Sequence, residues 1–126
     1  MKKIINTNKA PAAIGTYSQA VVHGDVLYTS GQIPIDPKTG EMLPANFTQQ
    51  AHQVFKNLAA VAEAAGCGLQ DAIKLNVYLQ DLEDFVKLNE VMSDYLSEPY
   101  PARAAIQVAR LPKDSLVEID ALIAMP

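Results

Sequence analysis

An arginine, two carboxylates and a phenol are the side chains best placed to do chemistry in this 126-residue chain. Arg103 stands at the entrance of an apolar, strand-like run, Tyr100-Pro101-Ala102-Arg103-Ala104-Ala105-Ile106-Gln107-Val108. Arginine keeps its charge and is rarely buried without a partner. Its planar fork matches a carboxylate through two parallel hydrogen bonds, so at a strand mouth it can hold a small carboxylic acid. The competing role is a structural ion pair, a common use of arginine. Glu118 and Asp120 lie two residues apart in Leu116-Val117-Glu118-Ile119-Asp120-Ala121-Leu122-Ile123 and therefore share one side of a strand. In solvent both would decorate a surface; in a low-dielectric pocket one of them can position or activate water. If the two strands form a hairpin turning near Pro112-Lys113, Arg103 and Glu118 are about five residues out of register, roughly 15 Å apart. They then converge only through long side chains, sheet twist or a subunit interface. Tyr17, in Ile14-Gly15-Thr16-Tyr17-Ser18-Gln19-Ala20, is placed to wall a pocket or orient a ligand, or to pack within its loop. Gly31, in Ser30-Gly31-Gln32, would let a ligand approach the backbone closely.

Other chemistries find no support in the sequence. His23 falls in a turn and His52 on a helix, with no spacing to a third metal ligand. Cys67, the single cysteine, excludes an intramolecular disulfide and has no histidine beside it. There is no G-x-S-x-G, no phosphate-binding glycine loop and no dinucleotide fingerprint. The net charge of −4 and a pI near 5.0 argue against a nucleic-acid footprint. Met1-Lys2-Lys3-Ile4-Ile5-Asn6 lacks the apolar run of a secretory signal, and no stretch approaches the length of a membrane helix. A soluble, cytoplasmic protein of one domain over residues 1–126 is expected, with 49% apolar and 19% charged residues as in ordinary globular chains.

The elements that must position these residues follow from local pattern. Lys3 to Ile5 reads as a short strand, and Asn6 to Ser18, with Pro11 and Gly15, as a loop. Ala20–Val22 and Val26–Thr29 flank His23-Gly24-Asp25 as a hairpin. Ile33 to Pro44 is a proline-rich loop with a turn at Asp36–Gly40. Asn46 or Thr48 caps a helix to about Ala65, with Phe47, Ala51, Val54, Leu58, Val61, Ala62 and Ala65 in one stripe, stopped by Gly66-Cys67-Gly68. Ala72 to Leu79 alternates as a strand, with Ile73, Leu75, Val77 and Leu79 on one face. Asp81 caps a second helix to about Leu96, ended by Glu98-Pro99-Tyr100-Pro101. Strands at Ala104–Ala109 and Leu116–Met125 follow, with a turn at Leu111–Ser115. Two amphipathic helices need a shared apolar surface, which predicts an α+β fold with both helices on one face of a mixed sheet. Ala104, Ile106, Val108, Ile119, Ala121 and Ile123 would make the other face apolar, the kind of patch that marks an oligomer interface.

Several segments occurring in order across nearly the whole chain carry a resemblance. They are Ala10-Pro11-Ala12-Ala13-Ile14-Gly15, Tyr17-Ser18-Gln19-Ala20, Thr29-Ser30-Gly31-Gln32-Ile33-Pro34 and Pro37-Lys38-Thr39-Gly40-Glu41. Further on come Asp81-Leu82-Glu83-Asp84-Phe85, Asn89, Tyr100-Pro101-Ala102-Arg103, Val108-Ala109-Arg110-Leu111-Pro112-Lys113-Asp114 and Val117-Glu118-Ile119. With them the chain resembles the RidA (YjgF-type) reactive intermediate imine deaminase family.

The resemblance implies a six-stranded α+β fold assembling as a chorismate-mutase-like homotrimer. The sheets would form an inner barrel, and the sites would lie between subunits. It implies hydrolysis of 2-imino acids, such as 2-iminobutanoate and 2-iminopropanoate released by pyridoxal-phosphate dehydratases, to 2-keto acids and ammonia, with no cofactor or metal. By the same resemblance Arg103 clamps the substrate carboxylate and Glu118 positions the attacking water. Tyr17 belongs to the pocket, Gly31 and Ala105 offer backbone contacts, and Phe85 and Asn89 take pocket-side positions. Two departures stand out: Ala105 occupies a position where many relatives have cysteine, and Thr16 one where many have proline. The latter leaves Tyr17 more mobile or held by a different turn. A trimeric keto-acid-binding or regulatory module is the alternative. An RNA-cleaving translation inhibitor fits the acidic composition less well, and neither nucleic acid nor membrane is an expected partner.

Overall fold

The computed structural model describes residues 1–126. Helix α1 (Phe47–Ala65) begins where Asn46, in extended backbone, accepts a hydrogen bond from Gln49 N at 3.0 Å. It buries the predicted stripe except Ala65, which is only partly buried, and adds Phe55, Gln50 and Asn57 to it; it ends at Gly66, whose φ of 90° suits glycine. The second helix is shorter than its pattern predicts. Asp81 caps a tight 3-10 turn at Leu82–Asp84 instead, by accepting from Glu83 N at 2.9 Å, and α2 spans only Phe85–Met92. Beyond it, Ser93 Oγ bonds back to Glu90 O at 2.6 Å, the local competition by which serine ends helices. The chain then turns down to Leu96, and Tyr95 stacks on Phe55 with centroids 5.0 Å apart.

Six strands form one sheet in the order β1-β2-β3-β6-β4-β5. They are β1 (Lys3–Ile5), β2 (Ala20–His23), β3 (Val26–Thr29), β4 (Ala72–Leu79), β5 (Ala102–Gln107) and β6 (Val117–Ala124). All neighbours are antiparallel except β4 and β5. Strand β5 starts two residues earlier than the sequence suggests and makes no hairpin with β6, because β4 lies between them. The connection instead crosses the end of β4, held there by Val108 N on Leu79 O at 2.9 Å and Gln80 N on Leu116 O at 3.1 Å. Within it Lys113 and Asp114 both take φ of 55°, a strained arrangement for two non-glycine residues. Arg110 steadies that turn through a two-point pair with Asp114 at 2.8 and 3.3 Å.

Both helices cover one face, as expected, but the faces are populated differently. Ile119, Ala121 and Ile123 point at the helices together with Leu75, Val77, Leu79 and Val117, all at most 1% exposed. The free face carries Lys74, Asn76 and Tyr78 from β4 and Glu118, Asp120, Leu122 and Ala124 from β6, beside Ala104 and Ile106 of β5. Period-two alternation separates two sets of residues without saying which set meets the helices. A bulge between Ala72 and Lys74 also takes Ile73 out of the core, leaving it 46% exposed.

Three buried amides tie the loops to this frame. Gln19 accepts from Thr7 N at 2.7 Å and donates to Thr7 O and Pro11 O at 3.0 and 2.7 Å. Gln50 donates to Leu43 O and Pro44 O and accepts from Leu116 N. Asn57 donates to Ile33 O and Ile35 O. Each amide satisfies backbone groups that no strand reaches. Gln19→Leu would leave those groups unpaired at a cost of about 3 kcal/mol, lowering Tm by roughly 10 °C for a chain this size. Calorimetry and trypsin cleavage after Lys9 measure the effect; a Tm and cleavage rate like the wild type would show that Gln19 does not hold the loop.

Candidate active site

Arg103 is the second residue of β5, an edge strand, and it leans on the helix side of the sheet. Its Nη1 donates to Asn89 Oδ1 at 2.6 Å and lies 3.5 Å from Met92 Sδ. Its Cζ sits 4.9 Å from the centroid of the Phe85 ring, within cation–π range. No carboxylate pairs with it; the ion pairs of the chain are His52–Asp94, Lys87–Asp84 and Arg110–Asp114. The structural ion pair is therefore not made. Asn89 and Phe85 fix the guanidinium while Nε and Nη2 keep their donors free of any acceptor in the chain. That is an anion-binding fork held in place by neutral groups. It lines a groove of about 430 Å³ with Asn89, Met92, Leu96 and Tyr100. Ala105, two residues on and half-buried, shares the same side of β5.

Glu118 occupies the opposite face. Its partner across the ladder is Tyr78, and Asp120 faces Asn76. Burial comes first, and the nearby negative charge of Asp120 second, in pushing the Glu118 carboxyl above the ordinary value of 4.5. Glu118 is pressed against Gly31. A Cβ on Gly31 would stand 2.9 Å from Glu118 Cδ and 3.2 Å from Cγ, so any larger residue there would push the Glu118 carboxyl aside. Gly31 reaches this position because β3 leaves the ladder early. Thr29 Oγ1 accepts from Ala121 N at 2.9 Å, and pairing resumes only at Gln32 with Ile119. Ser30-Gly31 therefore bulges over the carboxyl. Tyr17 is 53% exposed, its hydroxyl accepting a long 3.4 Å bond from Ile14 N. It shares a second groove, about 310 Å³, with Gly31, Gln32, Ile33, Pro112 and Lys113.

The seven predicted residues thus fall into two groups. Arg103, Asn89, Phe85 and Ala105 gather at the edge strand; Glu118, Gly31 and Tyr17 gather around the Ser30-Gly31 bulge. Within one chain the two groups cannot meet. Arg103 is level with Leu75 and Glu118 with Tyr78, so the offset is three residues rather than five, but they lie on opposite faces with β4 between them. Pattern reading missed Asn76 and Tyr78, which surround the carboxylates; their alternation with Leu75, Val77 and Leu79 was the available signal. No group of three or more His, Cys, Asp or Glu side chains is arranged to hold a metal ion.

Residues 7–125 match the family model described as Endoribonuclease L-PSP. The 2-iminobutanoate/2-iminopropanoate deaminase of Rattus norvegicus is 47% identical over 97% of this chain and 89% of its own. The crystal structure of RidA from an Antarctic Psychrobacter superimposes with a TM-score of 0.94 at 55% identity, covering 98% of this chain and 99% of that one. Escherichia coli TdcF with bound serine gives a TM-score of 0.92 at 44% identity, covering 98% and 99%. Matched along almost its entire length and sharing its fold with RidA itself, the chain belongs to the Endoribonuclease L-PSP family, the family of the RidA proteins.

Proposed function

We propose that this protein is a cofactor-independent deaminase that hydrolyses 2-imino acids to 2-keto acids and ammonia, at sites formed between the subunits of a homotrimer. The observation that carries the reading is the separation of an acid-free Arg103 fork from a partly buried Glu118 on the other face of the same sheet. Neither half-site is complete alone, and a second copy that presents its β5 edge to the Ser30-Gly31 bulge completes both. Ile106, 51% exposed on that edge, and the unpaired backbone of β5 suit such a contact. The names of the rat and Escherichia coli relatives support the substrate class.

The chemistry needs little more. The substrate carboxylate takes the Nε and Nη2 donors of Arg103, which orients the imine carbon. Asn89 and Phe85 hold the fork, and Tyr17, Ala105 and the Gly31 backbone bound the pocket. Glu118 of the facing subunit takes a proton as water adds to the protonated imine, forming a carbinolamine. It returns that proton to the nitrogen and takes the one on the new hydroxyl as the C–N bond breaks, leaving the keto acid; passing this second proton to the departing ammonia releases ammonium and restores the carboxylate. A protonated imine is already electrophilic, so orientation and one proton acceptor suffice. The nuclease activity in the family description would call for a basic surface, and the chain carries a net charge of −4.

The central test generates the imine in situ with a threonine dehydratase, semicarbazide competing for free imine. Arg103→Ala should lose roughly 30- to 5,000-fold in kcat/KM, the 2–5 kcal/mol scale of a charged pair left unmade, and should no longer bind 2-oxobutanoate. Unchanged turnover overturns the clamp; binding without turnover in the wild type replaces the enzyme by a keto-acid-binding module.

Mixing tests the shared site. Arg103→Ala and Glu118→Gln subunits, each inactive alone, should regain activity after dissociation and reassembly together, since about one interface in four then pairs an intact Arg103 with an intact Glu118 in a closed ring. No recovery in verified mixed trimers places both residues in one subunit's site.

The pH dependence follows from the raised Glu118 carboxyl. Its ionised form is the proton acceptor, so kcat/KM falls on acidification through a pH above 4.5. Burying the charge disfavours folding, so Glu118→Gln should be more stable than the wild type above that pH, with the gap closing toward lower pH. A constant gap between pH 4 and 8 would show that the carboxyl is not perturbed.

A further inference from the structure

Glu118 has one charged neighbour on its own strand. Asp120 lies two residues on, about 7 Å along the same face, and β4 fixes it there. Asn76 Nδ2 donates to Oδ1 at 2.8 Å and the Tyr78 hydroxyl donates to Oδ2 at 3.1 Å, so each carboxylate oxygen is bonded. Both donors come from the ladder itself, Asn76 opposite Asp120 and Tyr78 opposite Glu118. Two donors fix the orientation of the Asp120 carboxyl. Glu118, by contrast, accepts no hydrogen bond within the chain and is confined sterically by Gly31. The other titratable groups on this face stand farther along: Lys74 of β4 and Tyr28 of β3, each across from Leu122. The bulge above Glu118 contributes only Ser30 and Gly31, and Lys113 lines the groove beside it.

We propose that Asp120, fixed by Asn76 and Tyr78, is a positioning residue that keeps Glu118 a proton acceptor in the imine-hydrolysing site. The proposal rests on the reading of Glu118 as the group that takes the proton from water. In the assembled site Glu118 faces two positive charges, the Arg103 guanidinium of a neighbouring subunit and the protonated imine. Both draw proton affinity out of a carboxylate. A fixed anion behind it restores that affinity, and Asp120 is the one anion the ladder holds at that distance. The upward push that Asp120 exerts on Glu118 has the required sign. Tyr78 contributes by spending its hydroxyl on Asp120 rather than on Glu118, which leaves the Glu118 oxygens free for water.

The test follows Glu118 directly. Carbon-13 NMR of the glutamate carboxyls, with Glu118 assigned by its loss in Glu118→Gln, gives its titration midpoint; the acid limb of kcat/KM on the in situ imine gives its catalytic midpoint. Asp120→Asn keeps the shape and can still face Asn76 and Tyr78. It should lower both midpoints together by about half to two pH units, the Coulomb effect of one charge at this distance between the bulk-water and protein-surface limits. Asp120→Glu should restore both, and oligomer mass checks that each variant assembles. An unmoved midpoint in Asp120→Asn, with the wild type active, overturns the role of Asp120 alone. A shifted NMR midpoint with an unmoved acid limb also overturns it, because Glu118 would then not be the limiting base. A wild type inactive on every imine, its NMR midpoint still shifting, overturns the deaminase reading and the role with it.

Discussion

A strand buried on one side and half-exposed on the other can slip by two residues but not by one, and β6 is such a strand. Val117, Ile119, Ala121 and Ile123 are all fully or almost fully buried beneath the helices. Their burial, at about 25 cal/mol per Å² of apolar surface, fixes which residues of β6 face the helices. Everything polar about the second group follows from that choice. Glu118 and Asp120 must face outward because their neighbours must face inward, and Tyr78 and Asn76 must stand opposite them because Leu79, Val77 and Leu75 are in the core. The same parity sends Arg103, level with Leu75, to the helix side, where α2 supplies Asn89 and Phe85. One register thus distributes an arginine and a glutamate to opposite faces.

That distribution explains how both charges stay unpaired in the chain. An arginine and a glutamate in direct contact within one chain would form the structural ion pair that is absent here. Within the chain Arg103 is flanked by neutral groups, Asn89 and the Phe85 ring, and Glu118 by the like charge of Asp120. The arrangement costs stability at Glu118, where burial and Asp120 both oppose the charged form. Such a local cost at a site is offset elsewhere, here by a core running continuously from β1 through α1 to β6.

How much of this the sequence shows depends on how local the cause is. The hairpin around Gly24, the length of α1 and its stop at Gly66 rest on neighbours in the chain, and pattern reading finds them. The position of Arg103 at a strand entrance is equally visible. The extent of α2 is decided by Ser93 turning back on Glu90, which periodicity does not register. The order of β6, β4 and β5 is nonlocal, and a short connection between β5 and β6 looks like a hairpin until the crossover at Lys113-Asp114 is seen. The choice of face is undetermined by alternation itself. Gln19, Gln50 and Asn57 read as polar surface on composition alone, because nothing local reveals that loop carbonyls will close over them.

The loop carrying Tyr17 shows how one of these hidden amides changes the reading of a departure from the family pattern. With Thr16 where many relatives have proline, the backbone before Tyr17 loses a fixed φ, and more mobility is the simple expectation. Gln19 answers it from the other end. Its amide bonds Thr7 and Pro11 on the incoming side of the loop, while its own backbone carbonyl accepts from Ser30 N at 2.9 Å. The residue that anchors the loop is therefore also the residue that anchors the bulge over Glu118. The loop of Tyr17 and the bulge of Gly31 thus share one anchor, two residues beyond Tyr17. A rigid proline would order the loop in the unfolded chain as well as the folded one; the Gln19 anchor orders it only once the sheet has formed, which is when the pocket exists.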